Sequence, residues 1–146
     1  MKHLEFTIDI AADPEKVWDI MLSSETYKQW VNKSWPGANF QGIWKKGENL
    51  RFTSPGQGGT LATIVDLKPY EFILAEHIAV INQDGTEDKT SDIAKGWIGT
   101  TESYRFTKIN GKTELKVEML VNPAWEDELV KGWPTSLAEL KKICEA

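Results

Sequence analysis

The chain has 146 residues, a formal charge of −5 and a pI near 5.1. That length predicts one domain, residues 1–146, whose core needs neither disulfide nor metal. The acidic balance, with no basic cluster larger than Lys45-Lys46 or Lys141-Lys142, argues against nucleic acid and an anionic membrane surface as partners, since both demand a cationic face.

The first element is a strand. Leu4, Phe6, Ile8 and Ile10 alternate with His3, Glu5, Thr7 and Asp9, the period of a half-buried strand. Asp13 and Pro14 then predict a helix start, as cap and first helical residue. Val17, Ile20 and Met21 form its inward stripe, with Trp18 beside it. Residues 23–26 interrupt, and residues 27–31 predict a second short helix carrying Trp30.

Beyond this point the helical period disappears. Trp35-Pro36-Gly37 and Lys45-Lys46-Gly47-Glu48-Asn49 are predicted turns, with strands at residues 40–44 and 50–53. Ser54-Pro55-Gly56-Gln57-Gly58-Gly59 predicts a hairpin turn, followed by strands at residues 60–67 and 72–81. The polar stretch 82–96 is long for a connection in a compact domain and predicts a mobile flap or disorder. A final hairpin spans residues 97–107 and 113–121 around Asn110-Gly111.

The chain closes on a helix opened by Pro123. Trp125, Leu129, Trp133, Leu137, Leu140 and Cys144 recur at steps of four, four, four, three and four, which places them on one helical face. So bulky an apolar face must lie against something large and concave. Strands and helices segregate along the chain, and consecutive strands have short turns. The expected fold class is α+β: a curved antiparallel sheet of about six or seven strands round a long C-terminal helix, with two short helices after the first strand.

Three stretches carry a family resemblance. Ala12-Asp13-Pro14-Glu15-Lys16-Val17-Trp18, Asp66-Leu67-Lys68-Pro69-Tyr70-Glu71-Phe72-Ile73 and Gly132-Trp133-Pro134-Thr135-Ser136-Leu137-Ala138-Glu139-Leu140-Lys141 resemble the opening, strand-connection and closing motifs of the helix-grip (START-like, SRPBCC) superfamily. Within it, the chain is most similar to the branch named after the activator of the heat-shock chaperone ATPase. The resemblance covers essentially the whole chain. It implies a cavity between sheet and long helix that takes apolar ligands. It implies no single chemistry, because members include lipid and hormone binders, polyketide cyclases and chaperone cofactors.

Seven residues are tryptophan. Trp35, Trp44, Trp97, Trp125 and Trp133 come from turns, strands and helix, and in a curved sheet they either fill the core or converge on a pocket, with Leu129 on the same helix face. Gly132 and Pro134, flanking Trp133, predict either a kink or a close helix–sheet approach. Strand parity puts Glu76 on one face and His77 on the other, both otherwise apolar, so one of the two points inward. The family's strand pattern favours His77. Glu102 shares a face with Ile98, Tyr104 and Phe106. A buried Glu102 needs a partner, and His77, Arg105 and Lys116 are the candidates.

Other chemistry finds no motif. His3, His77 and Cys144 do not make a metal spacing, and Gly56-Gln57-Gly58-Gly59 lacks the Lys-Ser/Thr of a phosphate loop. No Gly-x-Ser-x-Gly elbow or cofactor motif is present, and Cys144 reads as a small core residue. The acidic stretch 84–92 reads as a solvated loop, with a docking site as the alternative. One cysteine excludes an internal disulfide, and no apolar stretch follows Met1-Lys2 or reaches membrane-spanning length, so a cytoplasmic protein is expected. The leading function is binding of a small apolar or aromatic molecule, oriented by His77, Glu102 and Tyr104. The alternatives are a protein-interaction module regulating a chaperone ATPase and a cyclase- or hydrolase-type enzyme using a His77–Glu102 pair.

Overall fold

The computed structural model describes residues 1–146. The alternating N-terminal segment forms β1 (Lys2–Ile10), with Leu4 and Ile10 buried and the charged residues outward. Pro14 opens α1 (Pro14–Leu22) at a position where its missing N–H costs nothing. Asp13 stands at the N-cap in extended conformation without a side-chain capping bond. The extended backbone of Ser23 ends α1 and starts α2 (Ser24–Val31), so the second helix begins earlier than the sequence suggested. Trp30 is fully buried, and its Nε1 donates to the Met21 carbonyl at 3.2 Å, tying the two helices together.

The remaining elements are β2 (Asn39–Gln41), β3 (Asn49–Ser54), β4 (Gly58–Lys68), β5 (Phe72–Ile81), β6 (Glu87–Asp88), α3 (Asp92–Trp97), β7 (Thr101–Ile109), β8 (Lys112–Val121) and α4 (Glu126–Glu145). The strands make one antiparallel sheet in the order β1-β8-β7-β5-β4-β3-β2, with β6 on β5. β1 therefore extends the β8 edge and does not close onto β2. Register shifts between Leu61 and Ala62 and between Ile64 and Asp66 mark bulges, which bend a sheet and increase its twist. Asn110 and Gly111 both have positive φ, as a two-residue hairpin turn between right-twisted strands requires.

Three expectations need correction. The strand expected at 40–44 stops at Gln41, because Gly42 turns out of it at φ +126. The polar stretch 82–96 is not a structureless flap. Its middle pairs with β5 as β6, and its end becomes α3, where the Ser91 hydroxyl accepts from the Ala94 N–H at 3.1 Å. The next strand consequently begins at Thr101 and not at residue 97, which places Trp97 on the last turn of α3 and Ile98 at its C-terminal cap.

A 3-10 turn at Pro123–Trp125 leads into α4. Leu129, Trp133, Leu137, Leu140 and Cys144 are buried along one face of that helix, and Trp125 is half-buried at its start. The helix lies against β1, α1 and α2. Pro134 sits inside it without ending it. The carbonyl that a residue-134 N–H would have met is that of Val130, which is 47% exposed, so water can satisfy it. Each fully buried side chain of the Leu140 type contributes roughly 1.5–3 kcal/mol.

Candidate functional site

Residues from α2, the sheet, α3 and α4 meet in a cleft where α4 faces the sheet. On β5, Ile73, Ala75, His77, Ala79 and Ile81 are buried inward, while Glu76 lies on the opposite, half-buried face. On β7 the inward residues are Glu102, Tyr104 and Phe106. Glu102 pairs across the ladder with Ala75, so His77, two residues further along the same face, is its diagonal neighbour.

That diagonal is bridged. His77 Nε2 lies 3.1 Å from Glu102 Oε1, and the Tyr104 hydroxyl donates to Glu102 Oε2 at 2.6 Å. His77 is 4% exposed and Glu102 7%. The other sequence candidates for pairing with Glu102 are engaged elsewhere: the Arg105 guanidinium stacks over Phe72, and Lys116 pairs with Glu5. Burial would push the Glu102 carboxyl up, but the hydrogen bonds it accepts from His77 and Tyr104 hold it below its usual range. Burial, then the neighbouring Glu102 charge, raise the Tyr104 and Tyr27 phenols, so both stay protonated at neutral pH.

An ionised carboxylate only accepts, so the proton between His77 and Glu102 sits on His77 Nε2. In a neutral imidazole this leaves Nδ1 as the acceptor. His77 Nδ1 is buried and has no partner in the protein.

The pair forms part of the wall of a cleft of about 240 Å³. Trp35, Trp97, Trp125, Trp133 and Leu129 line the same cleft. The α3–β7 connection sets Trp97 beside His77. Gly99 turns at φ +87, its N–H donates to the His77 carbonyl, and the His77 N–H donates to the Thr100 carbonyl, both at 2.9 Å. The Trp97 ring then stands 5.3 Å from the His77 ring and 5.1 Å from Trp125. At the other end Trp35 packs edge-on against Trp133 at 5.7 Å.

Two candidates fall outside the lining. Trp44 is half-buried and packs against Phe40, Phe52 and Tyr104 at the edge of the core, with its Nε1 buried and unpartnered. Tyr104 is not in the lining: its hydroxyl holds Glu102 and its ring packs against Trp133, both of which are. Sequence reasoning missed Tyr27, Phe52 and Met119, which also line the cleft. Tyr27 sits on a short helix and Phe52 and Met119 on strands, and only the sheet's curvature brings them together. Strand parity was the one available signal, and it bears on Met119, which the β7–β8 register places opposite Glu102. Cys144 is not among the lining residues.

The family model described as "Activator of Hsp90 ATPase homolog 1-like protein" matches residues 11–145. The chain belongs to this family. Among solved structures, this family member resembles the Aha1 dimer from Colwellia psychrerythraea at 20% identity, with 99% of this chain and 97% of that one covered and a TM-score of 0.75. Protein MLL2253 from Mesorhizobium loti matches at 12% identity over 97% of this chain and 95% of that one, with a TM-score of 0.75. CalU16 from Micromonospora echinospora matches at 14% identity over 97% and 75%, with a TM-score of 0.68. At such identities the likeness is one of fold. No curated protein matches the sequence. No helix is long and apolar enough to cross a membrane.

Proposed function

We propose that residues 1–146 act as one cytoplasmic domain that binds a small apolar or aromatic molecule between the sheet and α4. The observation that carries this reading is the convergence of Trp35, Trp97, Trp125 and Trp133 with the buried His77–Glu102 pair on a single cleft. Indole walls supply apolar area, and a few polar atoms supply orientation, the usual division of labour in ligand sites. A guest covered over about 200 Å² gains roughly 5 kcal/mol before the costs of association. The cleft is smaller than the ~300–1,000 Å³ of drug-sized sites, so it suits a guest of one or two rings.

Titration of intrinsic tryptophan fluorescence with a panel of small aromatic and aliphatic compounds tests the reading. Saturable quenching or a spectral shift is expected for the aromatic members. A spectrum indifferent to the whole panel rejects it.

The family match supports a second reading, a protein-interaction module regulating a chaperone ATPase. Its test is the turnover of a purified Hsp90-class ATPase with and without the domain. An unchanged rate at saturating domain rejects it.

A further inference from the structure

Two buried polar atoms lack a partner in this protein, Trp44 Nε1 and His77 Nδ1. The first belongs to a half-buried side chain packed against Phe40, Phe52 and Tyr104 outside the cleft. The second belongs to a residue in the wall of the cleft. A buried polar atom without a partner costs free energy comparable to a lost hydrogen bond, and folds rarely keep one without a use. The rest of the His77 ring is fixed: Nε2 is held by Glu102, Glu102 is held by Tyr104, and Trp97 packs edge-on against the imidazole. The chain Tyr104–Glu102–His77 therefore fixes the orientation of one unpartnered ring nitrogen in the wall of a cleft lined by four tryptophans, with Asn39, Thr53, Ser54, Thr60 and Glu128 also on its wall.

We propose that the cleft selects small aromatic molecules carrying one O–H or N–H donor, phenols above all, through a hydrogen bond to His77 Nδ1. This assignment rests on the ligand-binding reading and names the ligand's chemistry. Glu102 is the positioning residue: its carboxylate sets which His77 nitrogen carries the proton, and so whether the site accepts or donates. A ligand whose only polar atom is an acceptor, such as an aryl ether, would face the Nδ1 lone pair with its own. An apolar arene would leave Nδ1 as it is.

Isothermal titration of the intact protein with 2-naphthol and with 2-methoxynaphthalene separates these cases. The two share a ring system and differ in the donor. The naphthol is expected to bind about tenfold more tightly, the scale of one buried hydrogen bond against an unmatched acceptor. Nitrogen-15 NMR of the His77 ring supplies a readout that needs no variant. The free protein should show a protonated Nε2 and an unprotonated Nδ1, and the Nδ1 resonance should move toward the protonated position with the naphthol and not with the ether. Equal affinities for the two ligands overturn the donor assignment while leaving ligand binding intact. A protonated Nδ1 in the free protein does the same. Failure of both ligands to bind overturns the assignment together with the reading beneath it.

Discussion

Gly132 on α4 lies directly against the Trp35 ring: a Cβ built on Gly132 would stand 2.7 Å from Trp35 Cζ2. The contact is held from the other side by hydroxyls. Ser34 donates to the Gly132 carbonyl at 2.7 Å, and Ser136 donates to Ser34 at 2.9 Å. The glycine therefore serves close approach between α4 and the segment after α2, and the helix runs on through it.

Gly132→Ala should lower stability. Alanine gains about 1 kcal/mol of helix propensity. Displacing a packed indole costs about 1–3 kcal/mol, so the net loss should be about 1 kcal/mol, or roughly 2–4 °C in Tm. Differential scanning calorimetry checks this. In a Trp35→Leu background the obstruction is gone, and the same substitution should become stabilising.

Glu102 predicts a specific acid sensitivity. Its folded pKa lies below the ordinary value of 4.5, so below that pH the unfolded chain takes up the proton first. The stability that Glu102 contributes is therefore complete above about pH 4.5 and is lost as the pH falls through the folded value. Asp84, Asp88, Glu139 and Glu145 are also held low, but none of them contacts Glu102, and their part is common to any variant at residue 102. Urea unfolding at pH 7 and pH 3 should show Glu102→Gln less stable than wild type at pH 7, by about 1–3 kcal/mol, with the gap narrowing at pH 3. A gap of equal size at both pH values would contradict the assignment of an ionised Glu102.

Cys144 should be chemically silent in the folded protein. It is fully buried, and burial pushes its thiol up to about 11, so almost no thiolate exists at pH 8. Labelling with a chromogenic disulfide reagent should be complete within mixing time in guanidinium and negligible over the same interval in native buffer. Fast native labelling would mean that the end of α4 opens readily.

Much of the architecture was legible from the chain. Period two read β1 and β5, and the spacing from Leu129 to Cys144 read the buried face of α4, because each depends on a periodicity that local sequence carries. The inward turn of His77 needed the family's strand pattern, since both faces of β5 are apolar in sequence. The stretch 82–96 misled because its polarity concealed a capped helix. Ser91 three residues before Ala94 was the overlooked signal.

The sequence by itself determined an α+β fold with an apolar helix laid on a curved sheet, because periodicity and turn chemistry act over a few residues. It could not decide which tryptophans share a wall. Trp44 and Trp97 look alike along the chain, yet one is packed among core aromatics and the other borders the cleft. That difference is set by where the β2–β3 connection and the last turn of α3 come to lie on the sheet, through contacts between residues distant in sequence. The same holds for the His77–Glu102 bond, whose members are 25 positions apart and meet only because β5 and β7 pair in one register.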